Sequence, residues 1–464
     1  MSALDEAAIR RTAPLLDERG MRAIERIARH PSAPRWNRVA GDRLEPGDLR
    51  AVDAFRDALG RGRAPFGREP PAAMRAWVKA RRPWVPSFRA RVGDDAVVDR
   101  AWTSIPTSSR EDLAVRPETM VPDDAPLDRM IVYRTAGTTG HSLLVPHDVR
   151  AAACYLPLLE VALARWGVER PPGPGDVVLL VGAQAHTVTY ATALAVWGQA
   201  GFAKLNLARD QWPADDAPAR FFGDLAPALL TGDPLSFAEL LARGVAARPR
   251  ALVTTAVALG DVLRARLEAW FRAPVIDWYS LTETGPLGYA CPRRDGAYHV
   301  VAHDVFLEAL DAAGAPVPPG ARGEIAVTGG RNPFLPLLRY RTGDWGALDL
   351  APCACGDPMP RVVRLEGRAP VVLRAAGGAR LNPVDVAGAL RAHPIVQHEL
   401  EQRADLSCEL TLRPVPGEAL DLGAVERDLG ALLGALPLRV RLDPALGDRT
   451  GKALPYRSEL PFEE

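Results

Sequence analysis

Between about residues 130 and 345, short apolar runs alternate with longer stretches of helical periodicity, and this alternation constrains the fold more than any other feature of the chain. Met130-Ile131-Val132-Tyr133, Val177 to Val181 and Val275-Ile276-Asp277-Trp278 have strand length, whereas Ala151 to Trp166 and Val262 to Arg272 repeat their apolar residues at helical spacing. Runs of this kind join as βαβ units around a sheet, so an α/β fold with mixed sheets is expected. Residues 1 to about 125 read as helices broken by prolines, with Arg22 to Arg29 and Asp48 to Leu59 as examples, and suggest a scaffold without chemistry. After Arg368, the short strands Val371 to Leu373, Cys408 to Leu412 and Leu438 to Leu442 alternate with the helices Pro383 to Ala392 and Leu422 to Leu433. The expectation is therefore a large N-terminal domain, 1–367, and a small C-terminal α+β domain, 368–464.

Charge excludes several classes of partner. The 57 Lys+Arg match the 57 Asp+Glu, so no net field draws the chain to nucleic acid or to an anionic membrane. The run from Val177 to Ala203 has no charge, which raises a membrane span. Gln184, His186, Thr187, Thr189, Tyr190, Thr192 and Gln199 are too polar for hydrocarbon, and the run reads instead as a buried strand followed by a core helix. An odd count of five cysteines and an acidic start without an apolar core segment point to reduced thiols in the cytoplasm. Only Lys79, Lys204 and Lys452 are lysines; every other basic residue is arginine. Where Arg could have served as a generic cation, a retained Lys raises the question of a specific role.

Several loops carry groups suited to chemistry. Thr135-Ala136-Gly137-Thr138-Thr139-Gly140-His141-Ser142 follows a strand directly, and its glycines and hydroxyls suit a polyphosphate, although an ordinary turn has the same composition. It lacks the Gly-Lys-Ser/Thr close of a Walker A loop. Downstream come Tyr279-Ser280-Leu281-Thr282-Glu283-Thr284-Gly285, Tyr340-Arg341-Thr342-Gly343-Asp344, Gly367-Arg368 and Thr450-Gly451-Lys452. Taken singly, Glu283 could be a helix cap, Asp344 a turn residue and Tyr279 part of a core.

In this order and spacing the motifs resemble the adenylate-forming superfamily of acyl-CoA synthetases, luciferases and peptide-synthetase adenylation domains. Ser104 to Leu113 ahead of the Thr loop, and Asp277-Trp278-Tyr279 before the Thr-Glu pair, look like its phenylacetate-CoA ligase branch. The resemblance covers roughly residues 100–457. It implies an AMP-forming carboxylate ligase using ATP and Mg²⁺, with a mobile C-terminal lid. Thr135, Gly137, Thr138, Thr139 and Gly140 would hold the β- and γ-phosphates, and Thr282 would donate to the α-phosphate. Tyr279 with Ser280, and Thr255, Ala256 and Val257, would surround the adenine. Asp344 would bind the ribose, Arg368 would add a cation, Glu283 would hold Mg²⁺, and Lys452 would bridge the attacking carboxylate and an α-phosphate oxygen. His186 and Tyr190 fall where the family places its acid pocket, suggesting an aromatic or small apolar acid, although a packed strand-to-helix turn reads equally well there.

Two departures stand out. Family members often carry Lys or Arg just beyond the glycine loop, whereas this chain continues Ser142-Leu143-Leu144-Val145, so a phosphate contact is missing or supplied from elsewhere. At the expected hinge the usual Asp-Asp is replaced by Ala369-Pro370-Val371.

Cys353-Ala354-Cys355-Gly356, with Cys291 and His299, has the donors of a closed Cys₃His zinc site; reduced cysteines and a satisfied histidine are the alternative. His303 competes with His299, while Cys154 and Cys408 look like buried apolar residues. Three functional readings remain. The acyl group passes to a thiol, either CoA or a carrier protein; it passes to an amine or other acceptor; or the chain is a silent, zinc-stabilised scaffold. Retention of Thr282, Glu283, Asp344 and Lys452 argues against the last. A homodimer is left open.

Overall fold

The computed structural model describes residues 5–61, 66–134, 143–183, 187–256, 259–366, 373–381, 383–447 and 456–460. Two compact units emerge: residues 1–43, 168–277 and 370–464 form the first, and residues 44–167 and 278–369 the second.

The first unit is built on parallel strands in the order Ala251–Thr255, Leu229–Gly232, Val177–Gly182, Ala200–Asn206. Val177, Leu179, Val181, Ala203 and Leu205 point to one face, where Phe221, Phe222, Leu263 and Leu267 cover them. The expected core helix after Val181 is not formed. Instead Tyr190–Leu194 is a strand antiparallel to Ala200–Asn206, joined to it through a short 3₁₀ turn and the left-handed pair Gly198 and Gln199. Period-two alternation explains this: Ala191 and Ala193 pack on the N-terminal helices, while Tyr190 and Thr192 take the opposite face. No helix among the described residues is long and apolar enough to cross a membrane.

The C-terminal part of this unit has a four-stranded sheet, ordered Leu438–Leu442, Cys408–Pro414, Ile395–Gln402, Tyr456–Ser458. The helices Pro383–Arg391 and Leu422–Leu433 close a separate core of Leu373, Val386, Leu400, Leu410, Val425 and Leu429. Val396 and Val415 also enter the main core of the unit, and Arg391 pairs with Asp261 at 3.2 Å.

The second unit carries the part of strand Val275–Leu281 from Trp278 on and then the antiparallel strands Gly285–Ala290, Tyr298–Val300, Arg361–Glu366, Leu337–Asp349, Arg322–Gly329 and Val305–Leu310, in that spatial order. Its helices include Pro46–Gly60, Ala72–Arg81 and Arg110–Val115, the last started by a Ser109/Asp112 capping box. Phe88, Trp102, Ile105, Leu113, Phe306, Leu338 and Tyr340 form its core. The hairpin Ile131–Arg134/Leu144–His147 flanks residues 135–142.

Candidate functional site

Strand Val275–Leu281 ends in the turn Thr282–Thr284 and returns antiparallel from Gly285. Gly285 has φ +67, and a Cβ there would lie 2.5 Å from the Tyr155 hydroxyl, so only glycine fits. Thr282 is exposed, whereas the Glu283 side chain has no exposed surface. Its Oε1 accepts from Arg110 Nη1 at 2.8 Å and from the Tyr340 hydroxyl at 3.4 Å. Tyr279, buried and edge-on to Tyr298, donates its hydroxyl to Asp344 Oδ2 at 2.9 Å. Asp344 is held from behind: its N–H donates to Thr342 Oγ1 at 3.1 Å, and the preceding Gly343 N–H donates to Glu324 at 3.0 Å. Glu324 is in turn gripped by Arg341, with distances of 2.6 and 2.7 Å.

Arg110 owes its position to a buried cation. Arg339, 1% exposed, pairs with Glu308 at 3.2 Å and donates to the carbonyls of Thr103, Ile105 and Gly314. This fixes the segment before Ser108, which exchanges backbone hydrogen bonds with Arg339 and Arg341 and so delivers Arg110 as the first helical residue. On the other side of the turn, His147 Nδ1 lies 2.9 Å from the Asp148 carbonyl, which can only accept, so Nδ1 carries the proton. Burial pushes the His147 pKa down, leaving Nε2 to accept the Tyr155 hydroxyl at 2.7 Å.

The structure thus brings Tyr279, Ser280, Thr282, Glu283 and Asp344 into one unit, together with Arg110, His147 and Tyr155, which had no assigned role. The Ser-x-x-Asp box before Leu113 signals a helix start and so marks Arg110, but nothing local marks Glu283 as its partner. Thr255 and Ala256, the latter at φ +76, end a strand of the first unit. Tyr190 is half-buried in that unit, opposite Lys204 and 6.0 Å from the ring of Phe202. Burial lowers the pKa of Lys204, while Lys79 pairs with Asp99 at 3.0 Å. Thr135, Gly137, Thr138, Thr139, Gly140, His186, Val257, Arg368, Pro370 and Lys452 lie outside the described residues.

A second cluster occupies the same unit. Cys291 follows strand Gly285–Ala290, His299 lies in Tyr298–Val300, and Cys353 and Cys355 sit in the turn before Arg361–Glu366. Their donor atoms all lie within 4.8 Å of one another. The Cys291 and Cys353 sulfurs are 3.8 Å apart, matching the edge of a tetrahedron with Zn–S bonds of about 2.3 Å. His299 turns Nε2 to Cys355 Sγ at 3.1 Å, with its Nδ1 3.4 Å from the Met359 carbonyl and 3.8 Å from Asp357. Burial lowers its pKa, favouring the neutral imidazole a metal needs. Burial raises the Cys353 thiol, but donation from Cys355 and the charge of Arg361 outweigh it and the net shift is downward. Three sulfurs and one imidazole suit zinc, while the hard oxygens of Glu283 suit Mg²⁺. His303 stands outside the cluster, edge-on to Phe55. Cys154, whose thiol burial raises to about 11, and Cys408 are both buried.

Comparison with known proteins gives concordant matches. The sequence profile of the AMP-binding enzyme family matches residues 81–332, more than half of the chain. A curated phenylacetate-coenzyme A ligase of Thermus thermophilus is 25% identical over 323 residues, 64% of this chain and 70% of that protein. Crystal structures of a 2-hydroxyisobutyryl-CoA ligase are similar in fold. Its postadenylation state with an acyl-AMP gives a TM-score of 0.62 at 16% identity, covering 90% of this chain and 94% of that one. Its open conformation with 2-HIB-AMP and CoA gives 0.51 at 17% identity, covering 87% and 91%.

Proposed function

This chain belongs to the AMP-binding enzyme family, and from that premise we propose that it is an AMP-forming acid–thiol ligase acting on an aromatic or small apolar carboxylic acid. A carboxylate oxygen of the acid bonds to the α-phosphorus of ATP, and the bond to the leaving pyrophosphate breaks. The thiolate of CoA then bonds to the acyl carbon and AMP departs. The first half-reaction builds negative charge on phosphate oxygens and the second on the acyl oxygen and then on the departing AMP, so fixed dipoles and cations carry the catalysis and no side-chain nucleophile is required.

The observation that carries this reading is the Tyr279–Asp344 hydrogen bond beside the buried Glu283 in one unit, a combination suited to a nucleoside with its metal-bound phosphates. Asp344 would take the ribose hydroxyls while Tyr279 holds its carboxylate and borders the adenine with Ser280, Thr255, Ala256 and Val257. Thr282 would donate to the α-phosphate. Thr135, Gly137, Thr138, Thr139 and Gly140 would bind the outer phosphates, with Arg368 and Lys452 as further cations. Glu283 would hold Mg²⁺, which neutralises phosphate charge when bound. His186 and Tyr190 would border the acid. Cys291, His299, Cys353 and Cys355 would hold a structural zinc ion with no position open for substrate.

The relatedness to a phenylacetate-CoA ligase and the similarity to a ligase crystallised with CoA support CoA as acceptor. Pro370 at the expected hinge favours a second reading, in which the adenylate is made well but passed slowly to CoA, and a carrier-protein thiol or an amine is the natural acceptor. Pyrophosphate release over a panel of carboxylic acids, with and without CoA, tests both. Acid-dependent release with CoA consumption is expected. Release without CoA consumption would move the assignment to the second reading, and no release with any acid would overturn both.

A further inference from the structure

We propose that Arg110 is a nucleotide-phosphate ligand, the cation that replaces the basic residue missing beyond the glycine loop. This inference rests on the ATP-dependent reading above. The sequence from Gly140 runs His141-Ser142-Leu143-Leu144-Val145 without Lys or Arg, so the cation expected there has to come from elsewhere. Arg110 is a guanidinium already stationed at the metal-binding carboxylate, 2.8 Å from Glu283, on a side chain that is itself four-fifths buried.

Three further features point the same way. The backbone of Arg110 is fixed at its N-terminal side by Ser108 bridging to Tyr340, and by Ser109 and Asp112 capping each other. The turn Pro117–Thr119 that follows this helix packs on strand Leu144–His147, the strand by which the chain leaves residues 135–142. The helix bearing Arg110 is therefore linked, through this turn, to the strand that follows residues 135–142 in the chain. A guanidinium is also the right group, since its planar fork can serve Glu283 along one edge and a phosphate oxygen along another, which an ammonium cannot do in fixed geometry.

A merely structural ion pair is the competing account, and buried pairs are weak evidence for stability. The two accounts differ on ATP against AMP. A phosphate ligand at this position recognises the outer phosphates that AMP lacks, so its loss weakens ATP binding selectively.

The test is calorimetric binding of ATP and of AMP to the full chain and to Arg110→Gln, Glu283→Gln and the double variant. Arg110→Gln should weaken ATP by about tenfold or more, the effect of one charge-assisted hydrogen bond, and leave AMP within about threefold. Because Arg110→Gln leaves a buried carboxylate, the double variant guards against misfolding by removing both charges. If Arg110 touches phosphate, the double variant binds ATP more weakly than Glu283→Gln alone. Equal ATP affinity of those two would overturn the inference, as would parallel losses of ATP and AMP. Wild-type protein that binds ATP yet releases no pyrophosphate with any acid would overturn the proposed ligase reaction and leave the Arg110 comparison readable. Wild-type protein that binds no ATP would overturn both.

Discussion

The Glu283 turn and the Cys291 cluster stand at opposite ends of the six-residue strand Gly285–Ala290, and they are built on contrasting plans. In the cluster, four donors lie within 4.8 Å of one another and His299 is backed by the Met359 carbonyl and Asp357. At the turn, separate braces hold separate groups. Glu283 leans on Arg110 and Tyr340, Asp344 takes the Tyr279 hydroxyl, and Thr282 stands exposed. On the proposed reading, a closed shell would fix the chain, whereas the carboxylate of Glu283 would be held in place to meet a nucleotide with its metal.

The comparison makes opposite demands on substitutions at its two ends. The largest effect is expected for Glu283→Gln, which should lower acid-dependent pyrophosphate release by about 10²–10³-fold while melting stays close to wild type, since glutamine still accepts from Arg110 and Tyr340. Release within about tenfold of wild type would erase the distinction. Cys353→Ser should do the reverse: metal analysis falls from about one zinc per chain towards none, unfolding free energy drops by more than ~2 kcal/mol, and turnover per folded molecule changes little. Wild-type protein free of zinc, or a variant with unaltered melting, would show that the cluster is not the anchor.

Tyr279→Phe lies between these extremes. It removes one hydrogen bond to Asp344, and ATP affinity should fall by up to about tenfold with the melting transition retained. An unchanged affinity would mean that Asp344 needs no support from Tyr279. The smallest effect concerns pH. Burial lowers the pKa of His398, to about 4, and that of His147. Above the ordinary histidine value of about 6.5, both states are neutral and full stability is present; below it the unfolded chain binds protons that the folded chain refuses, so stability declines towards pH 4. Denaturant midpoints should therefore fall more between pH 7 and pH 5 in wild type than in His398→Gln. Identical slopes would show that His398 is not protected from protonation in the fold.

Sequence periodicity carried much of the architecture and rather less of the site. Leu422–Leu433 and Leu438–Leu442 form where apolar spacing places a helix and a strand. The uncharged run after Val181 misled because its apolar residues are too dense to show a clear period; only the alternation from Thr189 to Ala193 hints at the strand. Donor chemistry made the cysteines legible, but the choice between His299 and His303 depended on register. His299 pairs with Tyr289, two residues before Cys291, through the antiparallel ladder of Tyr298–Val300 on the preceding strand. Arg110 and Glu283 are 173 positions apart, and Tyr279 and Asp344 are 65 apart, so no local pattern could join them.

Helix Tyr155–Arg165 runs alongside strand Gly285–Ala290 and is fastened at both ends. Tyr155 meets Gly285 and His147 at one end; at the other, Arg165 pairs with Asp357 at 3.3 Å and Trp166 donates to the Ala290 carbonyl at 2.8 Å. Such a helix is a gauge block, its length set by eleven residues at about 1.5 Å each. One inserted residue would rotate the far end by about 100° and release one fastening or the other, however well the new residue suited a helix. Surface loops of this chain can change length at little cost, but this interval is a dimension that cannot be re-cut.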